Sequence, residues 1–199
     1  TGRTLGEEKV LHYAYELEGH ADNVTPSVMG SLVLTCLTEE GKIKYIQSDW
    51  PRELKVIAVV PSFRLSTETA RSILPSEIPL KDVVFNLQRA VLLWPALTGR
   101  RYDLVREAMK DRVHQPYRQS LVPGLSEALQ IRDLDGLVGI ALSGAGPTII
   151  ALASSNFQRI GQEIVACFEK NETTARALIL DVDRQGRTVS RLEVDSPNE

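Results

Sequence analysis

The sequence predicts an α+β fold, with helices on one face of a largely antiparallel sheet. Three observations predict it. Apolar residues recur at spacings of three and four through residues 80–94 and 157–169, the periodicity of amphipathic helices. Short apolar runs stand at 54–60, 137–142 and 148–153, each stopped by proline, glycine or serine as buried strands are. The helical runs also gather between the first of these strands and the second instead of alternating with strands. From residue 54 the order is therefore β, helices, β, β, α, β, β.

Taken from the start, residues 5–17 place Val10, Leu11, Ala14 and Leu17 on one helical face, and Gly19 is the stop. A short helix is expected from Pro26, because Thr25 can cap it and proline suits a first helical turn. A strand at 31–37, turn chemistry at Glu39, Glu40 and Gly41, and alternation from Lys42 to Tyr45 make a hairpin. A domain boundary is expected near Pro51, giving domains at 1–50 and 51–194 and a polar tail at 195–199. The strand at 54–60 ends at Pro61. Ser66 caps a helix over 66–73, with Glu68 against the positive end of its dipole. After Pro75 and Pro79, a helix runs over 80–94 and stops at Pro95, and another covers 102–113. Strands at 137–142 and 148–153 flank a glycine turn. The helix at 157–169 then carries Ile160, Ile164, Val165 and Phe168 on one side, and strands at 175–182 and 188–194 close the chain around a turn at 183–186.

Composition narrows the function. The 23 lysines and arginines against 26 acids give a net charge of −3, which lacks the positive field of a nucleic-acid or anionic-membrane binder. With 43% hydrophobic and 25% charged residues the chain can build a packed core. Cys36 and Cys167 show neither CxxC nor Cys/His spacing, so no disulfide framework or structural zinc is indicated, and a cytoplasmic setting is expected. No apolar run approaches the ~20 residues of a membrane span.

Four clusters place polar residues where glycine or proline interrupts regular structure. In the first, Glu16, Glu18, Gly19, His20, Asp22 and Asn23 deliver carboxylates, an imidazole and an amide to one loop, able to hold Mg²⁺ or grip an ammonium. The same residues also read as solvated helix acids followed by a cap. In the second, Thr67 and Arg71 are four apart and share a helix face near Ser66, where they can address one anion or simply face water. The third is His114, Gln115, Pro116, Tyr117 and Arg118. It ends a stretch with three excess positive charges that reads either as an RNA-facing patch or, more in keeping with its interspersed acids, as an ion-paired surface. The fourth, Ser143 to Thr148, is a glycine turn that lets a ligand reach backbone amides or merely joins two strands. There is no GxxxxGK[ST] loop and no GxSxG, and His12, His20 and His114 have no assignable serine partner, which argues against a nucleophilic hydrolase.

In this order, EGHADNVTPSVMGSLVL (18–34), VVPSFRLSTETARSILP (59–75), DRVHQPYRQSLVPG (111–124) and LSGAGPTIIAL (142–152) resemble the homoserine kinase family of the GHMP small-molecule kinases. The resemblance implies a GHMP kinase fold: the end of an N-terminal ATP-binding domain, then a ferredoxin-like C-terminal domain. It implies ATP-dependent phosphorylation of L-homoserine to O-phospho-L-homoserine in threonine biosynthesis, with ATP and Mg²⁺ as cofactors. Carried onto this chain, Asp22, His20 and Asn23 become catalytic-site residues. Thr67, Arg71 and Arg118 hold the amino acid, Gly144, Ala145 and Gly146 close the pocket, and Glu16 is the metal ligand with Glu18 as its alternate. The expected partners are homoserine and ATP, with a homodimer left open and no nucleic acid or membrane. The family's PxxxGLGSSAA phosphate loop is not found, so the chain is expected to be the C-terminal two-thirds of a parent and inactive alone. The alternative is a non-catalytic amino-acid-binding or dimerisation module derived from a GHMP kinase.

Overall fold

The structure, a computed structural model, describes residues 5–190. The chain divides between Trp50 and Pro51. One compact unit is the chain up to Trp50 together with the stretch from Val182, and the other is Pro51–Asp181. No helix is long and apolar enough among the described residues to cross a membrane.

The first unit contains helices α1 (Glu7–Glu18) and α2 (Ala21–Met29), followed by a hairpin of β1 (Leu32–Leu37) and β2 (Ile43–Ser48). As its position predicts, Gly19 ends α1 in the left-handed region at φ 81°, with its N–H on the Tyr15 carbonyl at 2.8 Å. The hairpin is antiparallel, with Leu34 opposite Ile46, and both of these side chains are exposed. The later stretch straps the end of α2: Ser31 N–H donates to Asp183 O at 2.6 Å and Arg187 N–H to Val28 O at 2.9 Å. Gly30, at φ 75°, permits that approach, since a Cβ there would run into the backbone of Arg184 and Gly186.

The second unit opens with β3 (Lys55–Pro61). It then runs through α3 (Thr67–Ser72), α4 (Leu80–Thr98), α5 (Tyr102–Ala108), α6 (Gln115–Arg118) and α7 (Leu125–Gln130), and closes with β4 (Leu137–Leu142), β5 (Ile149–Ala153), α8 (Phe157–Glu169) and β6 (Ala175–Leu180). Its four strands lie in the order β4-β5-β3-β6 with every pairing antiparallel, the βαββαβ arrangement of a ferredoxin-like domain. Ile57 on the central strand faces Ala151 on one side and Ile179 on the other. The amphipathic face of α8 packs on this sheet through Ile160, Ile164 and Phe168, all fully buried, each contributing about 1.5–3 kcal/mol of apolar transfer. Gly161 brings α8 close, because a Cβ there would meet Ala177 and Ile57.

Several expected boundaries move. The helix expected from Pro26 begins five residues earlier, so that Asp22 and Asn23 lie in its first turn and not in a loop, and His20 is its N-cap. Thr25 is no cap: it is wholly buried, with its hydroxyl 3.3 Å from that of Thr35. Pro26 sits inside the helix and denies a donor to the Asp22 carbonyl, a loss offset by burial of Ala21 and Thr25. In the same way α4 passes through Pro95 to Thr98, where the burial of Ala96 and Leu97 holds the extra turn. By contrast α5 stops at Ala108, short of residue 113, because Asp111 uses its side chain to cap the next turn. Helix α7 is not expected from the sequence. The strand expected at 188–194 is not formed over 188–190, and its remainder, like the tail at 195–199, lies outside the described residues.

Candidate functional site

The second unit builds its polar centre around Arg118, which is 7% exposed. Its Nε donates to the Ala70 carbonyl on α3 at 2.9 Å. Its Nη1 donates to the Gly144 carbonyl in the glycine turn at 3.2 Å and lies 3.0 Å from His114 Nδ1. Arginine has no acceptor, so His114 Nδ1 accepts and the neutral ring carries its proton on Nε2, 3.6 Å from Asp111 Oδ1. Asp111 organises the turn beneath. One oxygen accepts from the amides of His114 (2.8 Å) and Gln115 (2.6 Å), and the other from Asn86 on α4 at 2.5 Å. Buried Gln115 in turn accepts from Leu142 N–H at 2.8 Å, fixing the end of β4 where the glycine turn starts.

Three local rules form this centre. Asp111 stands three residues before the His114 amide, the spacing of an N-terminal cap, and Pro116 lends the first turn of α6 its fixed φ. Ser66 caps α3 by accepting from Thr69 N–H at 3.0 Å, as its position predicts. The turn from Ser143 is closed by Ser143 N–H on Thr148 O at 2.8 Å and Gly146 N–H on Ser143 O at 2.9 Å. Gly144 adopts φ 55° with open space where a Cβ would stand, so the turn presents backbone and no side chain there.

Charge in this centre is unbalanced. Burial lowers the pKa of Arg118, Asp111 raises it, and the neighbouring Arg71 guanidinium lowers it again; the group stays charged all the same. His114 is likewise pushed below its ordinary value by burial and by Arg118, against an opposing pull from Asp111. Burial pushes Asp111 up, and the hydrogen bonds from Asn86, Gln115 and His114 outweigh that and hold it below the usual carboxylate range. Arg71 forms no ion pair among the described residues, and its guanidinium lies near enough to that of Arg118 to repel it. Such a pair is a receptor for a carboxylate or phosphate.

In the first unit, His20 Nδ1 lies 3.7 Å from Glu18 and 3.8 Å from Asp22, and it has no hydrogen-bond partner among the described residues. Asn23 N–H bonds Asp22 Oδ1 at 3.2 Å. Glu16 faces another way and is 3.3 Å from His12. No group of three or more metal-ligating side chains stands among the described residues. A single carboxylate fits Mg²⁺ only in company with phosphate oxygens, which commonly complete its shell.

Of the residues singled out by sequence, the second unit thus gathers Arg118, Gly144 and Arg71, with Thr67 exposed on the same helix as Arg71. The first unit gathers His20, Asp22 and Glu18, while Glu16 stays with His12. Sequence reasoning missed Asp111 and Asn86. The capping spacing could have found Asp111. Nothing local marks Asn86, which acts from a helix 25 residues away.

Residues 93–187 match the family model described as GHMP kinases C terminal. The homoserine kinase of Persephonella marina is 44% identical over 189 residues, covering 95% of this chain and 63% of its own length. That of Desulfitobacterium hafniense is 42% identical, covering 94% and 63%. The chain therefore spans less than two-thirds of the curated relatives it matches. Among solved structures, homoserine kinase from Cytophaga hutchinsonii superimposes with a TM-score of 0.83 at 28% identity, over 93% of this chain and 61% of that one. A mevalonate kinase from L. major shares the fold at a TM-score of 0.60 and 20% identity, over 94% of this chain and 60% of its own.

Proposed function

Residues 93–187 are a GHMP kinase C-terminal domain on a chain with the GHMP kinase fold, and from that premise we propose that this protein serves the ATP-dependent phosphorylation of L-homoserine to O-phospho-L-homoserine. The observation that carries the proposal is buried Arg118, bonded to the Gly144 carbonyl, with the Arg71 guanidinium as its like-charged neighbour. In this reading the two guanidiniums fork onto the α-carboxylate of homoserine, and Thr67 adds a hydroxyl from the same helix as Arg71. Gly144, Ala145 and Gly146 close over the amino acid with backbone alone.

Asp22, His20 and Asn23 are assigned to the ammonium and hydroxyl end. The unpartnered His20 Nδ1 is the atom there with a hydrogen bond to offer or receive. ATP supplies the phosphoryl group, Glu16 would give Mg²⁺ one carboxylate, and residues 1–50 belong to the ATP-binding domain that precedes the ferredoxin-like one beginning at Pro51. A cytoplasmic enzyme of threonine biosynthesis is the setting this implies.

Calorimetric titration of L-homoserine into the chain, run beside a coupled assay for ADP release, tests the reading. Saturable homoserine binding that Arg71→Ala weakens supports the amino-acid site. Binding without ADP release would favour a non-catalytic amino-acid-binding module, and no binding at all would remove the reading.

A further inference from the structure

The second unit holds a cavity of about 660 Å³ walled by α4, α5, α6 and β4, and none of the residues assigned above to homoserine lines it. Five cationic side chains, Arg89, Arg106, Lys110, Arg112 and Arg132, stand in its wall against three carboxylates, Asp103, Glu107 and Asp111. Those carboxylates are already engaged. Glu107 bonds both Arg89 and Lys110, Asp103 takes Arg101 at 2.8 Å, and Asp111 caps α6. Arg112 is drawn off to Asp82 at 3.3 Å.

Arg106 differs from all of these. Its terminal nitrogens donate to two backbone carbonyls, Arg132 O at 2.8 Å and Leu137 O at 3.2 Å, and it has no carboxylate partner among the described residues. The carbonyls fix the guanidinium in place and leave its charge uncompensated, which is preorganisation for an anion. Arg132, also without an ion pair among the described residues, adds a second open charge. Arg89 Nε is buried with no hydrogen-bond partner among the described residues, while its guanidinium lies over the Phe85 ring 3.2 Å from the centroid. Met109, Leu129, Ile131 and Ile140 supply an apolar floor.

We propose that this cavity binds a small organic oxyanion, a carboxylate or phosphate with a hydrocarbon part, on Arg106 and Arg132. The charged end takes charge-assisted hydrogen bonds from the two guanidiniums, and the hydrocarbon lies on the apolar floor. Asp111 and Gln115 belong to this wall and also shape the turn that carries Arg118. The binding itself does not depend on the homoserine reading.

Calorimetry and amide NMR on the whole chain test it, with inorganic phosphate, phenyl phosphate and succinate as probes. Saturable binding is expected, with amide shifts centred on Arg106, Gln119 and Ile140. Arg106→Gln and Arg132→Ala should each weaken it roughly tenfold or more, the effect of losing one charge-assisted contact. Arg159→Ala, on the exposed side of α8, should leave it unchanged. Phenyl phosphate binding above succinate identifies a phosphate ligand, and the reverse order a carboxylate; either supports the site. If Arg106→Gln fails to fold, the exposed Arg132 decides alone. Absence of saturable binding by all three probes at millimolar concentration, or binding that Arg132→Ala leaves unchanged, overturns the proposal.

Discussion

Arg118 donates from Nε to the Ala70 carbonyl at 2.9 Å, which ties the turn carrying Arg118 to the helix that carries Arg71. The two arginines therefore separate structure from recognition. Arg118→Ala leaves the Ala70 and Gly144 carbonyls without their donor and should cost about 3 kcal/mol of stability in urea unfolding. Exposed Arg71 has no such duty, so Arg71→Ala should hold the unfolding midpoint while weakening homoserine roughly 10- to 150-fold by calorimetry. Equal losses of stability in both variants would contradict this division.

His114 makes one limb of the stability curve pH-dependent. Burial and Arg118 depress its folded pKa below the ordinary value of about 6.5, so the unfolded chain binds the proton more readily. The contribution of the neutral ring is complete above the unfolded pKa, is lost as pH falls toward the folded pKa, and levels off below it. Thermal melting points measured across that window should decline with falling pH, and His114→Gln should flatten the decline. NMR titration of the ring gives the folded pKa directly.

Asp111 should prove a costly position, because its carboxylate is buried beneath the turn it organises. It accepts two amide hydrogen bonds and one from Asn86, so Asp111→Ala uncaps α6 and is expected to cost about 2 kcal/mol. Asp111→Asn retains an acceptor oxygen for part of that set and should recover some of the loss. A chemical-denaturation series of the three proteins orders them.

The order of strands and helices was legible because periodicity survives in sequence: β3, β4, β5, α8 and β6 stand within two residues of their expected positions. What escaped was decided by packing at a distance. Thr25 looks like a cap and is instead buried beside Thr35, and Pro95 looks like a stop until Ala96 and Leu97 bury the turn beyond it. The candidate site divides in the same way. Arg118 and Gly144 lie in motifs that can be read directly, whereas Arg118 meeting Ala70 and Asn86 meeting Asp111 are long-range encounters without a local signature.

The β1–β2 hairpin carries a prediction about association. Leu34 and Ile46 face each other across it, 55% and 61% exposed, and present an apolar patch on paired strands. Light scattering should find concentration-dependent self-association of the chain that Leu34→Lys reduces. A monodisperse monomer at high concentration would count against it.

The two thiols should react on different clocks. Cys36 is exposed, whereas Cys167 is buried in α8, where burial pushes its thiol up. Ellman's reagent should label one thiol promptly, the other only on unfolding, and Cys36→Ser should abolish the prompt phase.

The strap across Gly30 has a consequence for how the polypeptide is made. Val28 and Ser31 are translated more than 150 residues ahead of their partners, Arg187 and Asp183. The first unit must therefore wait for the second to be synthesised before its strap can close over the end of α2. Nascent-chain proteolysis should find the end of α2 protected only in chains extended past Arg187, just after β6 has completed the sheet beside β3.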